Sequence, residues 1–298
     1  MLTKLSDLHQ MARAHSRKRL VLAAAHDQNA IEAVVNAHQN GIIDGVLVGD
    51  EPKIREIFQK GNYDISAFEV IHEPDNDKAA AISVQMVSGK QADIVMKGHL
   101  GTSNLLRAVL NKEWGLRSGE LLSHLALFEV PVYHKIIGLT DAAMNIAPDF
   151  QGKVSIIKNA VNYLVGLGIE KPKVAVLSAV ETVNPDMKST MEAAALAKMC
   201  DRGQIPNCLI DGPFAFDNAV SAKSAQLKKI NSPVAGDADL LVGDDLDASN
   251  AMYKTFIYFA QAKCAAVIVG AKAPIVLTSR ADSDDTKLNS IALAAAVQ

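Results

Sequence analysis

Ala-Asp-Ile-Val-Met-Lys-Gly-His-Leu-Gly-Thr-Ser-Asn-Leu-Leu-Arg-Ala-Val-Leu, residues 92–110, changes character in mid-stretch. Residues 92–98 form a short β-rich apolar run, the stretch from about Ser103 to Leu110 is amphipathic with helical spacing, and glycines and hydroxyls lie between. A strand that turns directly into a helix is the repeating piece of parallel α/β architecture. The alternation recurs. KRLVLAA at 18–24 reads as a strand, and residues 29–38 as a helix with Ile31, Val34 and Val35 on one face, stopped by Gly41. GVLVG (45–49), KVAVLSA (173–179), CLIDG (208–212), DADLLVG (237–243) and CAAVIVG (264–270) read as further strands, and KSTMEAAALAKM (188–199) as a helix. A final helix is expected over 283–297, with Ser283 as its N-cap and Asp284 and Asp285 in the first turn, where the helix dipole favours negative charge. The segment IIGLTDAAMNIAPDF, 136–150, reads as loop and, lying near the middle, as a domain boundary.

The chain has 298 residues, enough for two lobes of roughly 150 each. Hydrophobic residues make up 49% and aromatics only 5%, so Ala, Val, Ile and Leu must fill the core, as in layered α/β proteins. Thirty Lys plus Arg against 33 Asp plus Glu leave a net charge of -3, and no basic block is long enough to follow a phosphate backbone, which argues against nucleic acid as a partner. Lys4, Asp7, Arg13 and Arg17 to Arg19 interrupt the first twenty residues, and no apolar run approaches the roughly 18 residues of a membrane span. A cytoplasmic protein is expected. Cys200, Cys208 and Cys264 are an odd, scattered set that fits reduced buried thiols better than a disulfide framework or a zinc site.

Parallel α/β lobes bind ligands beyond the C-terminal ends of their strands, so chemistry is sought in those turns. In the first, Lys97 to Arg107, two glycines, His99, the hydroxyls of Thr102 and Ser103, a helix N-terminus and two cations suit a phosphate group. It is neither a Walker loop nor G-x-G-x-x-G; an ordinary helix start is the plain alternative. In the second, APIVLTSRADSDDT at 273–286, an apolar strand ends in a hydroxyl, a guanidinium and several carboxylates. Arg280 can grip an anion bidentately, Ser279 can donate to a developing oxyanion, and a carboxylate can accept a proton; a plain helix cap is the alternative. In the third, Asp244, Asp245 and Asp247 follow a strand, with capping of the next helix preferred over a divalent metal site. No histidine spacing matches a metal motif, and there is no G-x-S-x-G elbow.

These residues resemble a family, the phosphate acetyl/butyryltransferases, and within it the shorter butyryl branch. The resemblance is carried by AAAHDQNAIEAV (23–34), MKGHLGTSNLLRAVL (96–110), LTDAAMNIAPD (139–149), DGPFAFDNAV (211–220), SPVAGDADLLVGDDLDASNAMYK (232–254) and above all KAPIVLTSRADSDDTKLNSIALA (272–294). It implies a reversible reaction, acyl-CoA plus phosphate giving acyl phosphate plus CoA. No metal, no covalent acyl-enzyme and no permanently bound cofactor are required; coenzyme A and phosphate are substrates. The implied fold is like that of isocitrate and isopropylmalate dehydrogenases: two three-layer α/β/α lobes with a cleft between them, usually in homodimers or larger homo-oligomers. By that analogy lobe one is 1–134 plus 267–298 and lobe two is 135–266. Ser279 matches the family serine held to stabilise the transition state, Arg280 its anion-binding neighbour, and Arg107 a further active-site arginine. Strict spacing for the acetyl branch's thiol base lands on Thr286, and among the carboxylates from Asp282 to Asp285 it is Asp285, one residue before Thr286, that is expected to take the thiol proton. A second arginine of the acetyl branch has no clear match around 120–150. Lys97, His99, Thr102, Ser103, Arg107, Asn250 and Lys254 are the expected substrate-binding residues. The rivals are a phosphate acetyltransferase of the same family, a metal-dependent hydroxyacid dehydrogenase using Asp244, Asp245 and Asp247, and a non-catalytic phosphate-binding or CoA-binding protein.

Overall fold

The computed structural model describes residues 2–278 and 282–297. In chain order the elements are α1 (Leu5–Arg13), β1 (Lys18–Ala23), α2 (Gln28–Gln39), β2 (Ile43–Gly49), α3 (Glu51–Gly61), β3 (Glu69–His72), α4 (Asn76–Ser88), β4 (Ile94–Lys97), α5 (Thr102–Val109), β5 (Ser123–Glu129) and β6 (Ile137–Thr140). They continue as α6 (Phe150–Gly166), β7 (Lys173–Leu177), α7 (Lys188–Asp201), β8 (Leu209–Phe214), α8 (Phe216–Val220), α9 (Ala222–Leu227), β9 (Leu240–Val242), α10 (Leu246–Tyr258), β10 (Lys263–Val269), β11 (Ile275–Val276) and α11 (Asp284–Ala296). Contacts divide the chain into two compact units, one of Ser6–Glu120 with Ala265–Gln298, the other of Met1–Leu5 with Leu121–Cys264. Both are α/β. No helix among the described residues is long and apolar enough to cross a membrane.

In the first unit the strand order is β3-β2-β1-β4-β11-β10. β3, β2, β1, β4 and β11 pair in parallel, with Val21 opposite both Val46 and Val95, and Val276 opposite Met96; β10 returns antiparallel to β11. The chain steps outward from β1 to β2 to β3, then crosses back to β4 on the other side of β1. Right-handed crossovers therefore put α2 and α3 on one face and α4 on the other. α11 packs against α2, and α5 against α4. Strands covered on both faces must be apolar throughout, and Leu20 to Ala23 and Ile94 to Met96 are all fully buried. Asp27, Asp50, Asp75 and Ser283 cap α2, α3, α4 and α11 by accepting from the N–H of Ala30, Lys53, Lys78 and Thr286. Ser283 thus starts the last helix where the sequence placed the cap.

In the second unit the order is β5-β6-β9-β7-β8, with β5 antiparallel to β6 and the others parallel. The core is mostly aliphatic, with Phe214 buried on β8 and an aromatic cluster in which Phe128 of β5 meets Tyr253 and Phe256 of α10 edge-on at 5.2 and 5.0 Å. The expected loop at 136–150 is corrected here: residues 137–140 are a wholly buried strand, β6, between β5 and β9. Ile-Gly-Leu-Thr lacks a strand-like run, yet a Cβ on Gly138 would lie 2.9 Å from Leu240 Cδ1, so the glycine permits close approach of the neighbouring strand.

Asp237, before β9, is the centre of a cation cluster. It accepts from Lys173 and Lys135 and meets His134 Nε2 at 2.7 Å, while Lys135 also reaches Asp239 at 2.6 Å. Partial burial pushes the Asp237 carboxyl up, but hydrogen bonds from Lys173, Lys135 and His134 outweigh it and hold the group far below the usual carboxylate range. A depressed carboxyl contributes stability that is complete above its unfolded value of about 4 and drains away as pH falls through the native value. Urea midpoints should therefore drop less between neutral and acid pH in Asp237→Asn than in the unchanged protein.

Candidate active site

The crossing back from β3 to β4 reverses the strand order at β1, and parallel sheets take ligands beyond the C-terminal ends of their strands at such a switch point. The turns after β1 and β4 touch: the N–H of Gly98 donates to Ala23 O at 2.9 Å and that of His99 to Ala24 O at 2.8 Å. A Cβ on Gly98 would stand 2.4 Å from Ala24 O, so the turn after β4 can run against the turn after β1 only with glycine there.

Lys97 ends β4 with 9% exposure, and its Nζ donates to the carbonyls of Gly98 and Leu100 at 3.4 and 3.3 Å. The charge expected at a ligand is thus buried beside the carbonyls of its own turn. Thr102 and Ser103 open α5 exposed, behind Gly101, which brings no capping side chain. The first amides of α5 are left to hydroxyls or a ligand. Arg107 lies in the last turn of α5, exposed, with Nη1 3.8 Å from Asp77 Oδ2.

His99 is exposed and its ring centroid lies 5.1 Å from that of His26, in the turn after β1. Partial burial first, then the nearby His99 and Lys53, lower the His26 pKa against the opposing pull of Asp50 and Asp27, so this ring is neutral at pH 7. The carbonyl of His99 accepts from Asn76 Nδ2 at 2.9 Å, and Asp77 binds Asn104 of α5. His26, Asn76 and Asp77 were not picked out from sequence. His26 carried a signal, since it directly follows a strand.

β11 runs beside β4 in the same direction, so the chain beyond Val276 leaves from the same edge as Lys97. Leu277 and the buried Thr278 continue it; Ser279, Arg280 and Ala281 lie outside the described residues. Past them, the buried Lys287 donates to Asp282 O. Thr286 is consumed by the helix cap, its N–H and hydroxyl both on Ser283 Oγ, at 3.2 and 3.0 Å. Asp285 is exposed in the first turn of α11.

Asn250 and Lys254 belong to the second unit, one turn apart on α10. Asn250 donates to Ala142 O at 2.9 Å, and Lys254 Nζ lies 5.2 Å from the Tyr253 ring centroid. The acidic run before α10 has structural employment. Asp245 caps the helix through Ala248 N–H at 2.9 Å, and Asp244 binds the buried Lys153, which also reaches Glu192 at 2.7 Å. Two of the three carboxylates of the dehydrogenase reading are thereby committed.

The profile of a family described as phosphate acetyl/butaryl transferase matches residues 4–82 and 72–295. The chain belongs to this family. It is 45% identical over 297 residues to the phosphate butyryltransferase of Clostridium acetobutylicum, covering 100% of this chain and 99% of that one. It is 42% identical to the phosphate acetyltransferase of Thermotoga maritima, covering 98% of each chain. A branched-chain phosphotransacylase from Enterococcus faecalis V583 superposes with a TM-score of 0.83 at 32% identity, over 93% of this chain and 97% of that one. The 4-hydroxythreonine-4-phosphate dehydrogenase of Klebsiella pneumoniae, at TM-score 0.60 and 12% identity over 94% and 98%, shares the fold alone.

Proposed function

We propose that this protein is a phosphate acyltransferase that exchanges a short acyl group, butyryl or similar, between coenzyme A and inorganic phosphate. What carries the reading is identity of 45% over the whole length to a phosphate butyryltransferase, joined to a strand-to-helix turn after β4 that carries hydroxyls, a helix N-terminus and cations. In the forward direction a phosphate oxygen attacks the thioester carbonyl carbon, the resulting oxyanion collapses, and the C–S bond breaks to release CoA, whose sulfur takes a proton. In this scheme Arg280 and Arg107 hold phosphate, and Lys97, His99, Thr102 and Ser103 shape its seat. Ser279 donates to the oxyanion. Asp285 shuttles the thiol proton, a task needed because a thiol of pKa about 8.5 is mostly protonated at pH 7. Asn250 and Lys254 keep their assignment as substrate-binding residues.

The same proposal makes the protein cytoplasmic, since a large, highly charged CoA thioester does not cross a membrane unaided. It also makes it a homodimer or larger homo-oligomer. Self-association is supported by an exposed apolar face on the second unit that includes Val132, Phe216 and Phe259, the first and last 93% and 87% exposed.

Purified protein given butyryl-CoA and phosphate should release free thiol, undiminished by EDTA. A dehydrogenase would instead need a divalent ion and a nicotinamide. Absence of thiol release with every acyl-CoA from acetyl to valeryl rejects the proposal. Because one methylene changes discrimination by only about 1 kcal/mol, the same series ranks acetyl against butyryl and branched chains.

A further inference from the structure

Cys200 and Cys208, scattered in sequence, meet in the second unit with their sulfurs 4.0 Å apart. Cys200 sits in the last turn of α7 and Cys208 directly before β8, so a tight reversal brings the end of a helix back beside the strand that follows it. Gly203 turns the chain at φ 72°, and Ile205, 1% exposed, pins the loop, while residues 201–204, 206 and 207 are exposed. Each thiol leans on a backbone carbonyl of this loop: Cys200 on Cys208 O at 3.4 Å, Cys208 on Ile205 O at 3.7 Å. The two differ in access, since Cys200 is half-buried and Cys208 buried. Cys264, the remaining cysteine, is fully buried on β10, with the Tyr253 hydroxyl 3.5 Å away.

We propose that Cys200 and Cys208 form a peroxide-sensitive dithiol that closes to an intramolecular disulfide. The oxidant is a hydroperoxide. The Cys200 thiolate attacks one peroxide oxygen, the O–O bond breaks, and the other oxygen leaves as water after taking a proton, so Cys200 becomes a sulfenic acid. The Cys208 sulfur then attacks the Cys200 sulfur, the S–O bond breaks, and a second water departs. Two thiols lose two electrons in all, and one peroxide gains them.

The order follows from the surroundings. Burial first, then the neighbouring Cys200, push the Cys208 thiol up to about 12, so Cys208 waits protonated while the accessible sulfur meets the oxidant. Once Cys200 is a sulfenic acid, Cys208 is the thiol placed to resolve it, its sulfur already 4.0 Å away. Closure requires the sulfurs to approach by about 2 Å, a movement borne by the exposed 201–204 turn. The substrate-binding candidates of this unit, Asn250 and Lys254, lie on a different helix, so the modification is separable from the proposed acyl transfer.

The whole protein is exposed to hydrogen peroxide and read by intact mass and peptide mapping. The expected product has lost about 2 Da, carries a Cys200–Cys208 cross-link, retains a free Cys264, and regains its mass with dithiothreitol. Cys208→Ser should instead leave a Cys200 sulfenic acid that dimedone traps, and Cys200→Ser should lose the cross-link. The unmodified chain decides the matter even where a variant folds poorly. Gains of about 32 Da on separate cysteines without a cross-link, or a cross-link between chains, overturn the proposal.

Discussion

Arg280→Ala should lower the rate of phosphate-dependent thiol release from butyryl-CoA by about a hundredfold or more, with the urea unfolding curve unchanged. Removing one fixed donor that faces developing charge costs about 3 kcal/mol in the transition state, because a pre-aimed donor needs no reorganisation at the moment of reaction and water does. In the sequence Arg280 comes two residues after the buried Thr278, and β11, which precedes both, pairs in parallel with β4, the strand that Lys97 ends. Lysine at the same position should recover only part of the loss, since a point charge replaces a fork that grips two oxygens. The phosphate KM should rise in both variants. A near-normal rate in Arg280→Ala removes this residue from the mechanism and leaves Arg107 as the phosphate holder.

Lys153→Met should destabilise the protein by about 3–5 kcal/mol, the usual cost of stranding a buried partner charge. Lys153 is 4% exposed on α6 and is shared by Glu192 and Asp244. Glu192, 9% exposed, would keep only the exposed Lys188, 3.2 Å away. Burial alone would pull the Lys153 pKa down, but its hydrogen bonds to Asp244 and Glu192 prevail and hold it above the ordinary lysine value. Its contribution is therefore whole at neutral pH and is lost only as pH climbs through that raised value. Chemical unfolding of the single variant and of Lys153→Met with Glu192→Leu separates the stranded charge from lost packing. Recovery in the double variant is the expected result.

What could be read in the sequence and what could not follows a physical division. β1, α2 and α11 were legible because each is set by a local signal: an apolar run, a repeated face, a serine followed by two aspartates. β6 was not, because Gly138 and Thr140 suit that position only once β5 and β9 are beside it. The turn after β4 stood out in the sequence as a candidate anion seat from its glycines, hydroxyls and cations. Its geometry was not legible, since the burial of Lys97 and the approach of His26 to His99 depend on the turn after β1, far back along the chain. Asp244 looked free for solvent or metal because its partner Lys153 is 91 positions away. The same blindness hid the nearness of Cys200 to Cys208, where only the reversal between α7 and β8 reveals it.

The first unit takes its last pieces from the far end of the chain: residues 265–298 supply β11 beside β4 and α11 against α2, with Ile291 to Ala296 buried throughout. On the ribosome the order of completion is thereby inverted. The second unit, Met1–Leu5 with Leu121–Cys264, has all its residues in hand while Ser6–Glu120, nearly all made earlier, still waits with an unpaired strand edge and a bare apolar helix face. Such an intermediate offers chaperones and sister chains the interior of the N-terminal half, until the final helix emerges and seals it.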